Sequence, residues 1–136
     1  MIIDAENLVL GRLASYAAKQ ALLGEKVEIV NCEKSVVTGS RRQVFEKFKS
    51  RSSPTDMKKK PRVYKMPDMF VRRVIRGMLP WKRDRGRLAY KNVFCHIGIP
   101  SNLKEKPITL ENAHVDKLKN LKYVYIKDVT KFLGNK

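Results

Sequence analysis

The residues of this chain with the clearest chemical capacity are three arginines in one short segment, Arg72, Arg73 and Arg76. A guanidinium group donates paired hydrogen bonds to phosphate oxygens, so a cluster of guanidinium groups is suited to hold phosphate. No acid that could neutralise the cluster occurs between Asp68 and Asp84. The segment therefore indicates a phosphate-binding surface rather than a face of paired surface charges.

The positive charge is concentrated in the middle of the chain. The sequence has 30 Lys and Arg against 13 Asp and Glu, a net charge of +17. Residues 41–91 hold 18 of these bases and four of the acids, so the block carries +14 and the rest of the chain only +3. Self-repulsion of this size opposes the compact state. The block therefore predicts a polyanionic partner, and its length and its Lys and Arg content favour folded RNA.

We predict that cations along this whole block, residues 41–91, bind RNA. Besides the three arginines, the candidates are Arg41, Arg42, Arg51, Lys58, Lys59, Lys60, Arg62, Lys82, Arg83, Arg85 and Arg87. The stretch 52–67 lacks apolar periodicity, so we expect it to be extended and to be ordered by its ligand. Trp81 could stack on an exposed base or pack against the domain, and the sequence leaves both options open.

Hydrophobic periodicity predicts the elements that must position these side chains. An apolar strand at residues 1–4, a helix, and a second strand at residues 27–30 form a βαβ unit with parallel pairing. Asn7 is predicted to cap the helix and Gly24 to end it. The helix buries a stripe made of Leu10, Leu13, Ala14, Ala17 and Ala21.

Two further helices are predicted to present the basic block. Ser40 and Gln43 have capping-box spacing at the head of one helix, whose apolar side is Val44, Phe45 and Phe48. Asp68 opens the other helix and Pro80 ends it. Its apolar stripe, opposite the three arginines, is Phe70, Val71, Val74, Ile75, Met78 and Leu79.

The remaining segments are expected to be shorter elements. Residues 81–87 are predicted to form a basic turn with a flexible joint at Gly86, followed by a helix that carries Leu88, Ala89 and Val93. The stretch 93–100 is predicted to be extended. A last strand at 123–126 and a short helix through Phe132 complete the chain.

Other classes of function lack their motifs. The first strand-to-helix turn has neither G-x-G-x-x-G nor a P-loop, Ser15 lacks the G-x-S-x-G frame, and no CxxC or HExxH pattern accompanies His96 or His114. We therefore expect no enzyme activity, no metal and no cofactor, and we expect Cys32 and Cys95 to be free thiols. Few amide side chains accompany the cations, which disfavours DNA reading.

Membrane association is also disfavoured. No apolar run approaches the roughly 20 residues that a membrane span needs, and residues 1–10 lack the features of a signal peptide. The arginine-bearing helix is expected to hide its apolar stripe in the domain rather than present it to lipid. We expect the protein to act in the cytoplasm.

Short blocks of the sequence, in chain order, resemble the large-subunit ribosomal protein L-thirteen family. They are LGRLAS at 10–15, VNCE at 30–33, TGS at 38–40, RGMLP at 76–80 with RG at 85–86, and GIP at 98–100. RGMLP with its downstream RG is the most specific of them. The compact form is similar to the archaeal and eukaryotic branch of the family.

The resemblance implies an α/β fold in one domain, residues 1–136, with three α/β/α layers around a parallel four-stranded sheet of order 3-2-1-4. It implies binding to 23S- or 28S-type ribosomal RNA beside neighbouring large-subunit proteins, as a monomer within the ribosome, and a part in early subunit assembly. An RNA-binding protein outside the ribosome is the alternative interpretation. By the resemblance, the RNA-facing candidates are Arg12, Arg76, Lys82, Arg83, Arg85 and Arg87.

Overall fold

A computed structural model describes residues 1–52, 64–101, 103 and 105–134. Its strands are β1 (Ile2–Asp4), β2 (Val27–Val30), β3 (Val36–Thr38), β4 (Val93–Cys95) and β5 (Tyr123–Tyr125). Its α-helices are α1 (Leu10–Leu22), α2 (Arg41–Ser52), α3 (Pro67–Met78), α4 (Asp84–Lys91) and α5 (Ile126–Phe132). Short 3₁₀ turns occur at Cys32–Lys34, Glu111–Ala113 and Val115–Lys117.

The predicted βαβ unit is confirmed. Strand β1 pairs in parallel with β2, and β2 pairs in parallel with β4, so that Ile3, Ile29 and Cys95 lie side by side across the sheet. The whole predicted apolar stripe of α1 is buried. Gly24 has a φ of +97°, a conformation that suits glycine, and it follows the C-cap residue Leu23 as the stop of the helix.

The predicted sheet of four parallel strands in the order 3-2-1-4 is not confirmed. The described residues form a three-stranded parallel sheet of order β1-β2-β4. At the outer edge of β1, Ile108 is the only described residue that forms a parallel bridge, and it donates its N–H to the Ile2 carbonyl at 2.8 Å. The strand predicted near residue 124 instead pairs with β3 as a separate antiparallel ladder. Ile108 stands between Pro107 and Thr109, without the run of apolar residues that a longer strand would need.

One continuous core joins all five helices to one face of the parallel sheet. That face carries Ile3 and Ile29, which are fully buried. Residues paired in register share a face, so Ile2, Glu28 and Phe94 lie on the other one. Ile2 is buried, but none of these three belongs to the core cluster that contains Ile3 and Ile29, and Phe94 is 38% exposed. The three-layer arrangement is therefore not confirmed.

The starts of the helices differ in detail from the predictions. Helix α1 is capped at Val9 and not by Asn7, which has a φ of +57° and whose side-chain oxygen accepts a hydrogen bond from the Tyr125 hydroxyl. At α2 the Gln43 N–H donates to the Ser40 hydroxyl at 3.4 Å, as predicted. The Gln43 side chain, however, accepts from the same hydroxyl instead of binding the backbone.

The predicted helix with the arginines is confirmed as α3, but it begins one residue earlier, at Pro67. Proline suits the first helical position because its missing N–H would be unpaired there anyway. Phe70, Val71 and Ile75 of its stripe are buried, whereas Met78, at its last turn, is 42% exposed. Leu79 follows the helix in an extended conformation, as the residue before a proline prefers.

The predicted basic turn at 81–87 is confirmed only for residues 81–83, and the prediction of a flexible joint at Gly86 is wrong. Helix α4 begins at Asp84, so Gly86 lies inside a helix. A Cβ built on Gly86 would stand 2.2 Å from the Pro80 carbonyl oxygen, which shows that glycine permits close packing here rather than bending. Leu88 is 61% exposed and Val93 belongs to β4. Of the three apolar residues predicted for this helix, Ala89 is therefore the one that α4 buries.

The two cysteines are free thiols, as predicted, and the fold brings them together. A hydrogen bond between the two thiol groups and burial raise the pKa of Cys32 far above its ordinary value. Cys95 is only half-buried and lies on β4, which pairs with β2, and Cys32 lies in the turn that follows β2. The Cys32 side chain therefore acts as a protonated, apolar core group.

The close approach at Gly86 predicts a large cost for adding one methyl group. We expect Gly86→Ala to lower the free energy of unfolding by about 1–3 kcal/mol, because Pro80 must move to admit the new Cβ. Gly77→Ala is the matched control, since no atom lies within 4 Å of its Cβ position. That substitution should leave stability unchanged or raise it by roughly 0.5–1 kcal/mol, because alanine favours a helix. Urea unfolding of both variants measures the difference, and equal stabilities would contradict the packing argument.

Candidate nucleic-acid interface

Helix α3 turns its arginines away from the core. Its buried residues Val71 and Ile75 pack among α1, β4 and the other core residues. The opposite side carries Arg72, Arg73 and Arg76, of which Arg73 is exposed and the other two are half-buried. The predicted division of this helix into an apolar and a cationic side is therefore confirmed.

The three guanidinium groups do not form one clamp, because each lies over a different aromatic ring. Arg76 stacks 4.2 Å from the centre of the Trp81 ring, Arg72 stacks 4.7 Å from that of Tyr90, and Arg73 stacks 5.2 Å from that of Tyr64. The Trp81 and Tyr90 rings themselves meet edge to face at 5.0 Å. Cation–π contacts restrict where the guanidinium groups lie, and a guanidinium group donates hydrogen bonds within its own plane rather than through the face that covers a ring.

Arg73 and Arg76 line an open cleft of about 550 Å³ at the junction of α3 and α4, which we call the first basic cleft. The other residues that line it are Gly77, Leu79, Pro80, Trp81, Lys82 and Arg83. Four cations thus surround this cleft, and no acid is among the residues that line it. Arg72 is not part of it.

The backbone between the two helices shapes the cleft. The extended Leu79 and the following Pro80 end α3, and the Arg83 N–H then donates to the Pro80 carbonyl at 3.0 Å. This tight connection puts Lys82 and Arg83 opposite the end of α3. The packing of Gly86 against Pro80 holds α4 close to the connection.

Trp81 is half-buried and packs within the domain. Its ring contacts Arg76 and Tyr90, and it also lines the first basic cleft. Of the two roles left open by the sequence, packing is therefore confirmed. Stacking on an RNA base stays a prediction.

The other cations after α3 do not join the first basic cleft. Arg85 lies in a groove with Lys19 of α1 and Met78 at the end of α3. The Arg87 guanidinium lies 3.6 Å from the carboxylate of Asp84, one turn earlier on α4. Sequence reasoning treated residues 81–87 as one basic turn, whereas Arg85 and Arg87 lie on α4 and their side chains have different neighbours.

The cations of α2 cover aromatic residues or pair locally. Arg41 lies over the ring of Phe45, and Arg51 over that of Phe48. Arg42 forms a salt bridge of 2.9 Å with Glu46. The surface of α2 therefore contains a neutralised pair of charges, whereas the charge count of the block favoured unpaired cations. Such an exposed pair contributes little to stability.

Four of the predicted RNA-binding residues belong to the basic stretch of sequence between α2 and α3. Lys58, Lys59, Lys60 and Arg62 lie outside the described residues. Their assignment to RNA stays a prediction from charge alone.

Arg12 lies apart from the first basic cleft, although the resemblance implies that Arg12 and the cations of that cleft all face RNA. Its guanidinium donates to the Asn112 carbonyl at 3.0 Å and lines a different cleft of about 620 Å³, which we call the second basic cleft. This cleft is also lined by Thr38, Gly39, Ser40, Gln43, Lys117, Leu118, Lys119, Asn120 and Lys122. Sequence reasoning missed the three lysines because nearby acids in the sequence cancel their charge in a count.

The part of the chain that the structure describes contains neither a cluster of metal ligands nor a membrane-spanning helix. No group of three or more His, Cys, Asp or Glu residues is arranged to hold a metal ion there. None of the described helices is long and apolar enough to cross a membrane.

Comparison with known proteins agrees with the resemblance read from the motifs. Residues 1–102 match the model of the family described as Ribosomal protein L13. The large ribosomal subunit protein uL13 of Methanopyrus kandleri is 41% identical to the chain, over 98% of the chain and 86% of that protein. The uL13 protein of Methanococcus maripaludis is also 41% identical, over 100% and 98%. That of Methanosarcina barkeri is 40% identical, over 99% and 98%. The chain therefore belongs to the ribosomal protein L13 family.

Proposed function

We propose that this protein is a structural constituent of the large ribosomal subunit and binds ribosomal RNA through phosphate contacts. Its relatives are named as large ribosomal subunit proteins. The observation that carries the RNA-binding role is the first basic cleft, where Arg73, Arg76, Lys82 and Arg83 surround an open space without a lining acid.

The chemistry of the first basic cleft favours a polyphosphate over a small anion. The cleft is open and cations stand on both its helical side and its loop side, which suits a backbone that passes through it. Two of the four cations are arginines fixed over aromatic rings, so little side-chain freedom is lost when they bind. Trp81 in the lining offers a ring on which an unpaired base could stack.

In this proposal the protein acts in the cytoplasm as one copy per large subunit, beside neighbouring ribosomal proteins, and supports early assembly of the subunit. It has no catalytic role. The core would supply a rigid scaffold, and the Lys58–Lys60 segment and Arg62 would add phosphate contacts by their charge. Binding would depend mainly on release of counterions from the RNA and only weakly on base identity.

Counterion release predicts a steep dependence on salt. If about eight phosphates are contacted, the affinity for large-subunit ribosomal RNA should fall roughly 10³- to 10⁵-fold between 50 and 200 mM salt. Filter binding at several salt concentrations measures the slope. An affinity that hardly changes over this range would exclude the phosphate mechanism.

Neutralising the first basic cleft should impair incorporation into the ribosome. We expect Lys82→Gln with Arg83→Gln to remove two phosphate contacts without loss of folding, because both side chains are exposed. The matched control is Lys127→Gln with Lys131→Gln, which makes the same change of charge on exposed residues of α5 outside both clefts. On a sucrose gradient the control should comigrate with large subunits and the cleft variant should shift toward free protein. If the cleft variant and the control comigrate equally with large subunits, the first basic cleft is not the binding surface. If the unaltered protein never comigrates with large subunits, the ribosomal role is wrong.

The stacked arrangement of Arg76 predicts that charge alone is not sufficient. Arg76→Lys keeps the positive charge but loses the planar group that lies over Trp81. We expect affinity for the RNA to fall about fivefold, the effect of roughly 1 kcal/mol, with the dependence on salt unchanged. Binding curves for the variant and the unaltered protein at matched salt test this, and equal affinities would show that the stacking has no role.

A further inference from the structure

The second basic cleft is built from parts of the chain that the first does not use. Arg12 comes from α1, Thr38 and Gly39 from the end of β3, and the three lysines from the segment between residues 115 and 123. The two clefts share no lining residue. A ligand in one therefore uses a separate set of cations from a ligand in the other.

Asn112 fixes two of the cations of the second basic cleft. Its carbonyl oxygen accepts a hydrogen bond from the Arg12 guanidinium at 3.0 Å, and its side-chain oxygen accepts one from the Lys117 ammonium at 3.2 Å. Both groups are thus held at the same residue before any ligand arrives. Preorganised charges bind an anion with a smaller loss of side-chain freedom.

The antiparallel ladder places the third lysine. Strand β3 pairs with β5, and the Gly39 N–H continues the ladder by donating to the Lys122 carbonyl at 2.8 Å. Lys122 is thereby held beside Ser40 at the head of α2, where the first turn of the helix contains no acid. Lys119 is exposed at the rim.

The charges of this cleft are not neutralised within the described residues. Arg12, Lys117, Lys119 and Lys122 form no salt bridge there, and no acid lines the cleft. The nearby Asp116 directs its carboxylate to His114, at 2.9 Å, and its side chain is 85% exposed. Four cations thus converge on an open space of about 620 Å³ that offers no opposite charge.

The residues that line each cleft also indicate which part of a nucleic acid the cleft is suited to bind. The first basic cleft includes Trp81, whereas no aromatic residue lines the second. Single-stranded bases bind protein largely by stacking on aromatic rings. A cleft with four cations, hydroxyl and amide groups and no ring is suited to the sugar–phosphate backbone.

We propose that the second basic cleft binds the phosphate backbone of a second RNA segment, so that one molecule holds two segments of ribosomal RNA together. This inference rests on the proposed ribosomal RNA binding and adds a bridging role to it. Arg12 then belongs to the second contact and not to the first. The lysines at positions 117, 119 and 122 become RNA-binding residues that the excess of charge in residues 41–91 did not indicate.

The test counts how many RNA molecules one protein binds. The probe is a short RNA hairpin of about eight base pairs, too small to cross between separate sites, mixed with the full chain and analysed by sedimentation. We expect two hairpins per unaltered protein and one per Lys119→Gln/Lys122→Gln variant. Both substituted side chains are exposed, so the variant should fold like the unaltered protein. The Lys127→Gln/Lys131→Gln control should keep both hairpins.

A second measurement uses the slope of log affinity against log salt. Each lost phosphate contact should make it less steep by about 1, so the Lys119→Gln/Lys122→Gln variant should differ from the control by about 2 for ribosomal RNA. One hairpin per unaltered protein, or an unchanged slope in the variant, would overturn the bridging role while leaving the proposed function intact. A variant that keeps both hairpins but no longer enters large subunits would assign the cleft to a protein partner and also overturn it. Failure of the unaltered protein to bind any RNA would reject the proposed function itself.

Discussion

The packing of one side of α3 into the core is the constraint on which the rest of the basic surface depends. Val71 and Ile75 are fully buried in the same core as the inner face of the parallel sheet. Because a helix is rigid, burying these two residues commits the arginines on the other side to face outward. The hydrophobic effect thus holds together a surface whose own charges repel one another.

Aromatic rings determine how the outward arginines are presented. A free arginine side chain has roughly 2 kcal/mol of rotamer entropy, part of which is lost when it binds phosphate. Stacking of Arg76 on Trp81 and of Arg72 on Tyr90 restricts these side chains in advance. The edge-to-face contact between the two rings joins both pairs into one unit, which ties the ends of α3 and α4 together.

Tertiary structure divides the cations into groups that differ from their order in the sequence. Arg42 and Arg87 lie in the basic block but pair with acids on their own helices. Lys119 and Lys122 lie outside the block and still line an acid-free cleft. A count of charge along the chain therefore predicts a class of partner, but it does not show which cations share one surface.

The sequence by itself determined the local features of this protein: the βαβ start, the end of α1 before Gly24, the helix between Pro67 and Pro80, and the large excess of positive charge. These follow from residue types and from periodicities within a few turns. Which strands pair beyond this βαβ unit, and which cations meet, was decided only by the folded chain. The Arg12 guanidinium and the Asn112 carbonyl, for example, are separated by 100 positions, and only through-space packing brings them within 3.0 Å.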